Sequence, residues 1–343
     1  MLTAYEIASR EHDLQIQRNE NLKFGFVAGD PDNYYPLAMG DGTARLMLGP
    51  EFNSFLYRGQ TDYYPACLPS IYRGKQSKTD ILIKWMKILQ FKEIVSQHPA
   101  IPDFTAKRIL GNSLAIDYTG IAQHYGLATE LLDFTSSPWV AAFFATTEFD
   151  QSTQRYYPAR QNNKGIFYRL RLDKLSGFSQ DQVEILGFQP FKRPTMQKAF
   201  SCCIKRGKDL HKMHFVEYEF FKHDYKSAQK IYEKFEGGDA LHTPCPVSKK
   251  ADEINKQEAF QPSIFEDALK IIDINPDQKD NILSDLHSKG INITDSVKSY
   301  CFTEAELAEL KQEWEQIKQT MRFSFRPVIE LKPCSEIATH RLA

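Results

Sequence analysis

The chain has 343 residues, of which 42% are hydrophobic and 25% are charged, and its formal net charge is −1. This balance predicts a globular protein with an extensive apolar core. It excludes a strongly basic nucleic-acid binder but leaves room for a local basic face. No apolar run approaches the roughly 18 residues that cross a bilayer, and the N-terminus lacks the pattern of a signal peptide. We therefore expect a cytoplasmic protein with no membrane partner.

The cysteines and histidines show no metal-binding pattern. None of the six cysteines forms a Cys-x-x-Cys pair, and the nine histidines have no recognisable ligand spacing. We therefore expect reduced thiols and no metal ion.

The first 49 residues are predicted to form an N-terminal extension with a short polar helix and a loop rich in glycine, aspartate and proline. Apolar runs over residues 44–49 and 52–57 then predict strands. The second strand delivers Arg58 at its end, where a planar guanidinium suits a phosphate or carboxylate. Gly59 would let the backbone approach the same ligand. A surface arginine beside a turn is the alternative interpretation.

An amphipathic helix is predicted over residues 80–97, with Thr79 or Asp80 as its cap. The lysines at positions 78, 84, 87 and 92 are expected to form a solvated face, with contact to a polyanion as the alternative. A second helix is predicted over residues 103–110.

Residues 121–147 form the most informative stretch of the chain. A polar cluster, Gln123-His124-Tyr125, precedes a glycine, and Asp133 is followed by the hydroxyl triplet Thr135-Ser136-Ser137. Pro138 suits the first turn of a helix, so Ser136 or Ser137 is the expected N-cap. A helix start beside hydroxyl groups favours a phosphate or ribose. A well-capped core helix is the alternative interpretation.

The second half of the chain predicts alternating loops, strands and helices. Residues 151–164 read as an exposed loop, and strands are expected over residues 165–172, around 199–204, over 215–221 and over 323–331. Glu217 and Glu219 fall on one face of the strand over residues 215–221. The simplest interpretation is that this face is exposed to solvent. Amphipathic helices are predicted over residues 226–235, 265–272, 280–288 and 304–320.

Four segments of the sequence belong together by their order. They are Tyr57-Arg58-Gly59, then Gln123-His124-Tyr125-Gly126-Leu127, then Leu131-Leu132-Asp133-Phe134-Thr135 with Pro138 and Ala141 to Ala145, and finally Arg193-Pro194-Thr195-Met196-Gln197 followed by Phe200. This combination resembles the FRG domain, a bacterial and phage-associated family, over residues 50–245. Glu130 departs from the arginine usual in the family, and Lys198-Ala199 departs from a frequent pair that ends in glycine. Both departures bear on substrate preference more than on fold.

A looser likeness links the chain to ADP-ribosyltransferases of the Arg/Ser-Thr-Ser/Glu type. These enzymes have an arginine at the end of a first strand, a hydroxyl triplet leading into a helix, and a later Glu or Gln at the start of a strand. Arg58-Gly59, Thr135-Ser136-Ser137 and Gln197 fall in that order. The two resemblances imply an α+β fold, in which helices surround an ADP-ribosyltransferase-like split β-sheet. The implied domains are an N-terminal extension (1–49), an FRG domain (50–245) and a helical C-terminal region (246–343) that packs on or extends the core.

The likeness implies that NAD is a substrate, and it assigns two groups of site residues. The residues expected to bind NAD are Tyr57, Arg58, Gly59, Gln60, Gln123, Tyr125, Thr135 and Ser136, and the catalytic candidates are Arg58, His124, Asp133 and Gln197. Gln197 carries no charge, so we expect Asp133, Glu217 or Glu219 to supply the carboxylate. One of these, or His124, would act as general base. A buried hydrogen-bonding role is the alternative for His124.

The implied function is an NAD-dependent ADP-ribosyltransferase, a toxin-like or phage-defence effector, with RNA (mRNA) as the leading acceptor and protein as another. Stacking aromatics would serve an RNA base, and the candidates are Tyr63, Tyr64, Tyr72, Tyr156 and Tyr157. Transfer to water would instead make the protein an NAD glycohydrolase. A non-catalytic ligand-binding or adaptor module of a toxin–antitoxin or defence system is the alternative from a different class, and an antitoxin or chaperone is an expected protein partner.

Overall fold

A computed structural model describes residues 1–23, 34–48, 55–109, 111–150, 152–159, 164–171, 183–186, 189–297 and 300–320. The helices are α1 (Ala4–Lys23), α2 (Lys78–Val95), α3 (Ala100–Ala106), α4 (Tyr118–His124), α5 (Pro138–Thr146), α6 (Lys192–Met196), α7 (Tyr225–Lys234), α8 (Asp239–His242), α9 (Pro246–Asn255), α10 (Pro262–Ile271), α11 (Lys279–Ser288) and α12 (Glu304–Thr320). The strands are β1 (Tyr34–Ala38), β2 (Thr43–Leu48), β3 (Phe55–Gln60), β4 (Arg108–Ile109), β5 (Asn112–Leu114), β6 (Leu131–Thr135), β7 (Thr147–Asp150), β8 (Arg155–Pro158), β9 (Lys164–Arg171), β10 (Val183–Leu186), β11 (Ala199–Ile204), β12 (Val216–Lys222), β13 (Ala259–Phe260) and β14 (Asn292–Ile293). Helices and several separate sheets mix along the chain, which confirms the predicted α+β class.

The largest sheet contains six strands in the order β10-β11-β6-β3-β9-β12. Strand β3 pairs with β9 along its whole length, from Phe55 opposite Arg171 to Gln60 opposite Ile166. Its pairing with β6 on the other side is limited to one position, Tyr57 opposite Thr135. The two central strands therefore diverge beyond Tyr57, and the sheet opens at that point.

The two faces of this sheet are covered differently. One face buries an apolar cluster that includes Leu56, Phe134 and Tyr168. The other face carries α5, with α1 packed on it, around a second cluster that includes Tyr57 and Phe167. Alternation of side chains along β3 and β6 sends neighbouring residues to opposite faces. The N-terminal helix is thus part of the packing around the central sheet.

A buried acid fastens α1 to the sheet. Glu11 is only 2% exposed, and its carboxylate accepts hydrogen bonds from Arg10 and from Arg169 of β9 (both 2.8 Å). Arg10 and Arg169 also form ion pairs with Glu219, while Arg171 approaches Glu217 at 3.5 Å. The two glutamates of β12 therefore join a charge network, and their expected role as a solvent-facing row was wrong.

The helices α2, α9, α10 and α11 pack around a third apolar cluster, and residues of α4 and α12 complete it. The N-cap of α2 is Ser77, which forms a reciprocal capping box with Asp80. The predicted cap at Thr79 or Asp80 was wrong by at least two residues, because the acidic residue occupies the third position of the first turn.

The lysines of α2 are engaged by neighbouring segments. Lys84 donates to Ile71 O (3.0 Å), and Lys87 donates to Asn255 O (2.6 Å). Lys78 bonds Gln278, and Lys92 lies over the ring of Tyr118. These contacts tie α2 to the rest of the fold, so the expectation of a freely solvated row was wrong.

A four-stranded sheet, β1-β2-β5-β4, packs with α3 and α12. Trp314 of α12 is buried, and its indole N–H donates to Asp103 Oδ2 at 2.7 Å. The tryptophan-bearing face of the last described helix therefore docks on the rest of the chain. The helix predicted over residues 103–110 is present with different bounds, because α3 begins at Ala100 and ends at Ala106 and β4 follows.

Residues 152–159 include strand β8 of a β7–β8 hairpin, so the polar segment after Asp150 is not simply a loop. The strand predicted over residues 323–331 lies outside the described residues. The five cysteines that the structure describes are free thiols, as predicted. Within the described ranges, no helix is long and apolar enough to cross a membrane.

Candidate functional site

A cavity of about 650 Å³ opens beside the point where β3 and β6 diverge. This volume is in the range of about 300–1,000 Å³ that small-molecule sites occupy. Most of the residues singled out from the sequence as binding or catalytic candidates lie in its wall. They are Tyr57, Arg58, Gly59, Gln123, His124, Tyr125, Asp133, Thr135 and Gln197.

Arg58 spans the gap between the two diverging strands. Its Nη1 donates to the main-chain oxygen of Asp133 at 2.9 Å. If the β3–β6 ladder continued from Tyr57 and Thr135, Gly59 would stand opposite Asp133. The guanidinium therefore satisfies a carbonyl group that the missing ladder leaves free. Its Nε is buried and has no hydrogen-bond partner.

Gly59 has a packing role that the sequence did not reveal. A Cβ added there would lie 2.2 Å from the main-chain oxygen of Ala141 and 2.5 Å from the Cβ of Ala145. Helix α5 thus approaches β3 too closely for any side chain at this position. Gly59 does line the cavity, but the contact between β3 and α5 is what requires a glycine there. The expectation that Gly59 only lets the backbone approach a ligand was therefore incomplete.

The hydroxyl triplet is engaged within the protein. Ser137 is the N-cap of α5 and accepts from Val140 N at 3.4 Å, so one of the two predicted caps is confirmed. Thr135 Oγ1 donates to the main-chain oxygen of Gln197 at 2.7 Å and accepts from Ser137 N at 3.0 Å. Ser136 is buried and is not part of the cavity wall. Of the triplet, Thr135 alone lines the cavity, so Ser136 lies outside the wall in which it was expected.

Helix α4 carries the polar cluster, and Asp117 caps it by accepting from Gly120 N. Gln123 Nε2 donates to Asp133 Oδ2 at 3.1 Å, while Thr129 donates to Gln123 Oε1. This amide thereby fixes one carboxylate oxygen of Asp133. Burial raises the pKa of Tyr125. The ring of Tyr125 lies 4.8 Å from the guanidinium of Arg193.

Asp133 and His124 face each other across the cavity wall. His124 Nδ1 lies 3.8 Å from Asp133 Oδ1, a distance at which the carboxylate would attract a protonated imidazole. Asp133 Oδ1 is itself buried and has no hydrogen-bond partner. This oxygen is therefore the available acceptor at the site.

Residues 53–154 match the family model of the FRG domain. The chain carries an FRG domain. No curated protein and no solved structure matches the chain.

The cavity extends beyond the residues that match the FRG domain. Arg193 and Gln197 come from α6 and its C-cap, and His242 ends α8. Further wall residues outside the match are Arg155 and Tyr156 of β8 and Ser248, Lys249, Asp252 and Asn255 of α9. The FRG domain thus supplies one side of the cavity, and later segments supply the other.

Tyr156 and His242 are site residues that sequence reasoning did not place. Tyr156 was considered only as a stacking candidate in a predicted loop, and His242 follows the pair Gly237-Gly238. In the folded chain Tyr156 OH lies within hydrogen-bond distance of His242 Nε2, at 2.9 Å. Gly238 has a φ of 104°, and a Cβ there would lie 3.0 Å from both Phe143 and Tyr156. The Gly237-Gly238 pair was the available signal, because it marks a close approach.

Three candidate residues lie apart from the cavity that the FRG domain helps to form. Gln60 accepts a hydrogen bond from Tyr168 OH at 2.8 Å and is not in the cavity wall. Glu217 and Glu219 belong to the arginine network of β12. Of the three carboxylates that were candidates for the catalytic acid, Asp133 alone lines the cavity.

Proposed function

We propose that this chain is an NAD-dependent ADP-ribosyltransferase and that the cavity beside Arg58 binds NAD. One observation carries the proposal. Segments far apart in sequence bring Arg58, His124, Asp133 and Gln197 into the wall of one cavity of about 650 Å³. A cation, a carboxylate, an imidazole and an amide are a sufficient set for transfer of a glycosyl group.

Arg58 would bind the pyrophosphate or a ribose of NAD. Nη1 is engaged with Asp133 O, but Nε is buried without a partner, and a guanidinium has five N–H donors in all. The proposed contact uses the donors that Asp133 leaves free. Arg155 and Lys249, at the cavity wall, add positive charge for the second phosphate.

The proposed reaction breaks the bond between the nicotinamide nitrogen and ribose C1′, and the electron pair leaves with nicotinamide. A nucleophilic atom of the acceptor then bonds to C1′ and gives its proton to a general base. The developing positive charge on the ribose would be stabilised by Asp133, which has a carboxylate oxygen without a hydrogen-bond donor. His124 lies next to it and is the proposed base.

RNA is the acceptor we propose. Tyr63 and Tyr64 are 41% and 51% exposed. Their segment contacts the β11–β12 connection, because the main-chain N–H of Cys67 donates to Asp209 (2.9 Å). That connection carries the cations Lys205, Arg206, Lys208 and Lys212. Exposed aromatic rings beside a group of cations suit unpaired bases and their phosphates.

The test is incubation of the full chain with NAD labelled on adenosine, with total RNA or with lysate, scoring free nicotinamide and label transfer. Arg58→Ala should abolish both signals, and the matched control Arg108→Ala, an exposed arginine of the small sheet, should leave them unchanged. Nicotinamide release without label transfer would identify an NAD glycohydrolase. Normal NAD consumption by Arg58→Ala would refute this cavity as the site.

A toxin-like role is part of the proposal. Expression of the active chain alone should slow the growth of its host, and Arg58→Ala should relieve that effect. Equal growth with both chains would exclude toxicity through NAD chemistry. Co-expression would then have no toxic effect for an antitoxin to relieve.

A non-catalytic binding module is the second candidate, and one observation favours it. Gln197 is only 5% exposed and both ends of its amide contact protein groups, so the amide has little capacity left for a ribose. Saturable NAD binding by calorimetry with no nicotinamide release over long incubation would establish this role.

A further inference from the structure

The amide of Gln197 lies at the centre of a buried hydrogen-bond chain. Its Nε2 donates to the main-chain oxygen of Leu241 at 3.1 Å and lies 3.3 Å from His242 Nε2. Its Oε1 lies 3.2 Å from His124 Nδ1. The side chain thus connects α4, which carries the proposed base, to α8.

The surroundings allow only one orientation of this amide. The oxygen of Leu241 can accept a hydrogen bond but cannot donate one, so it requires the NH₂ end of Gln197. Reversal of the amide would set two oxygen atoms against each other at 3.1 Å. Oε1 of Gln197 must therefore point at His124.

His242 reinforces that orientation. His242 Nε2 lies 2.9 Å from Tyr156 OH and 3.3 Å from Gln197 Nε2, so a neutral imidazole that accepts at Nε2 fits both neighbours. Burial, together with the positive charge of Arg193, lowers the pKa of His242 to about 3. An accepting nitrogen beside Gln197 again favours its NH₂ end.

We propose that Gln197 is a positioning residue that holds His124 in the Nδ1–H tautomer. An oxygen acceptor 3.2 Å from Nδ1 keeps the proton of a neutral imidazole on that nitrogen. Nε2 then keeps its lone pair and is the nitrogen left to take a proton from a bound molecule. This role differs from that of a residue that holds ribose hydroxyls.

The catalytic consequence rests on the proposed function, but the tautomer does not. Once Nε2 has accepted the proton of the acceptor, the ring becomes an imidazolium. Asp133 Oδ1, 3.8 Å from Nδ1 and without another partner, would then stabilise the new charge. The proton leaves Nε2 for solvent after the product departs.

The test is a two-bond ¹⁵N–¹H spectrum of the full chain with labelled histidine, in which the His124 signals are identified by their loss in His124→Asn. The wild-type chain should show His124 as the Nδ1–H tautomer. Gln197→Met, which keeps the volume but removes the acceptor, should shift His124 towards the Nε2–H form. Gln197→Glu in its protonated form keeps an accepting oxygen towards Nδ1 and an O–H that can donate to Leu241 O, so it should retain the wild-type pattern.

Kinetics supply the second readout. Gln197→Met should lower kcat for transfer by roughly 10²–10⁴-fold, the usual size of a general-base contribution, with KM for NAD nearly unchanged. A raised KM with normal kcat would overturn the positioning role in favour of ribose binding. An Nε2–H tautomer of His124 in the wild-type chain would overturn it regardless of activity. An Nδ1–H tautomer in a chain that does not consume NAD would uphold it and refute the proposed function alone.

Discussion

Arg58 donates a hydrogen bond from Nη1 to the main-chain oxygen of Asp133, across 2.9 Å and between strands that have stopped pairing. A side chain thus holds the edge of the opening in the central sheet. The arginine has two tasks in one position, because it satisfies a carbonyl group of the fold and presents its remaining donors to the cavity. Substitutions can separate these tasks.

Arg58→Lys should keep the positive charge but lose the planar set of donors. We expect kcat/KM for nicotinamide release to fall by roughly 10²-fold, which corresponds to the loss of about 2–3 kcal/mol of transition-state stabilisation. Steady-state kinetics with NAD measure the effect, and Arg108→Lys is the control. Unchanged kcat/KM in the Arg58→Lys variant would mean that only the charge of this residue matters.

Gly59→Ala should destabilise the fold, because the added Cβ would overlap Ala141 O and Ala145 Cβ. We expect the free energy of unfolding to fall by about 1–3 kcal/mol, measured by urea titration. Gly207→Ala is the control, since its φ is +81° but nothing lies within 4 Å of the added atom. A smaller loss at Gly59 than at Gly207 would show that α5 can move away from β3.

Ser137→Ala should remove the side-chain cap of α5 and lower the free energy of unfolding by about 1 kcal/mol. Ser136→Ala is the matched control, because Ser136 makes its hydrogen bonds through the main chain, from N to Lys198 O and from Gln15 to its own O. Chemical denaturation of both variants measures the difference. Equal losses would contradict the assignment of Ser137 as the cap.

The stability of the protein should depend on pH through His98. Burial lowers the pKa of His98 from 6.5 to about 4, and its Nδ1 accepts from Ala100 N at 3.0 Å. The unfolded chain therefore binds a proton more readily than the folded one between these two pKa values, and stability is lost as the pH falls through that window. His98→Asn should flatten the dependence in part, because His242 titrates in the same direction. Urea titrations at about pH 7, 6 and 5 span the upper part of the window, and an identical pH slope in both chains would exclude His98 as a source.

The sequence predicted those site features that depend on local order. A strand leading to Arg58 and Pro138 opening a helix were correct, although β3 continues past Arg58 to Gln60, since each feature depends on residues within one strand or one turn. The α+β class followed from the family resemblance. The resemblance also implied a split β-sheet like that of ADP-ribosyltransferases. Strands β3 and β6 do diverge, but the likeness to those enzymes remains a prediction.

The remaining features depend on contacts between distant residues. Glycine at position 59 is required by Ala141 on a helix much later in the chain, and no periodicity of the sequence records that approach. Glu217 looked solvent-facing because alternation cannot show that Arg169 and Arg171 lie beside it. His242 could not be associated with Gln197 from sequence, because it belongs to a helix of only four residues with no motif of its own.

The far wall of the cavity, from Tyr156 through His242 to Asn255, has a practical consequence for dissection of the protein. A fragment cut to the 53–154 segment would keep Arg58 and Asp133 but leave them at an open surface, where water competes with every donor. It would also strip α5 of the cover that α1 provides. Minimal versions of this protein therefore have to begin near residue 1 and reach at least residue 255.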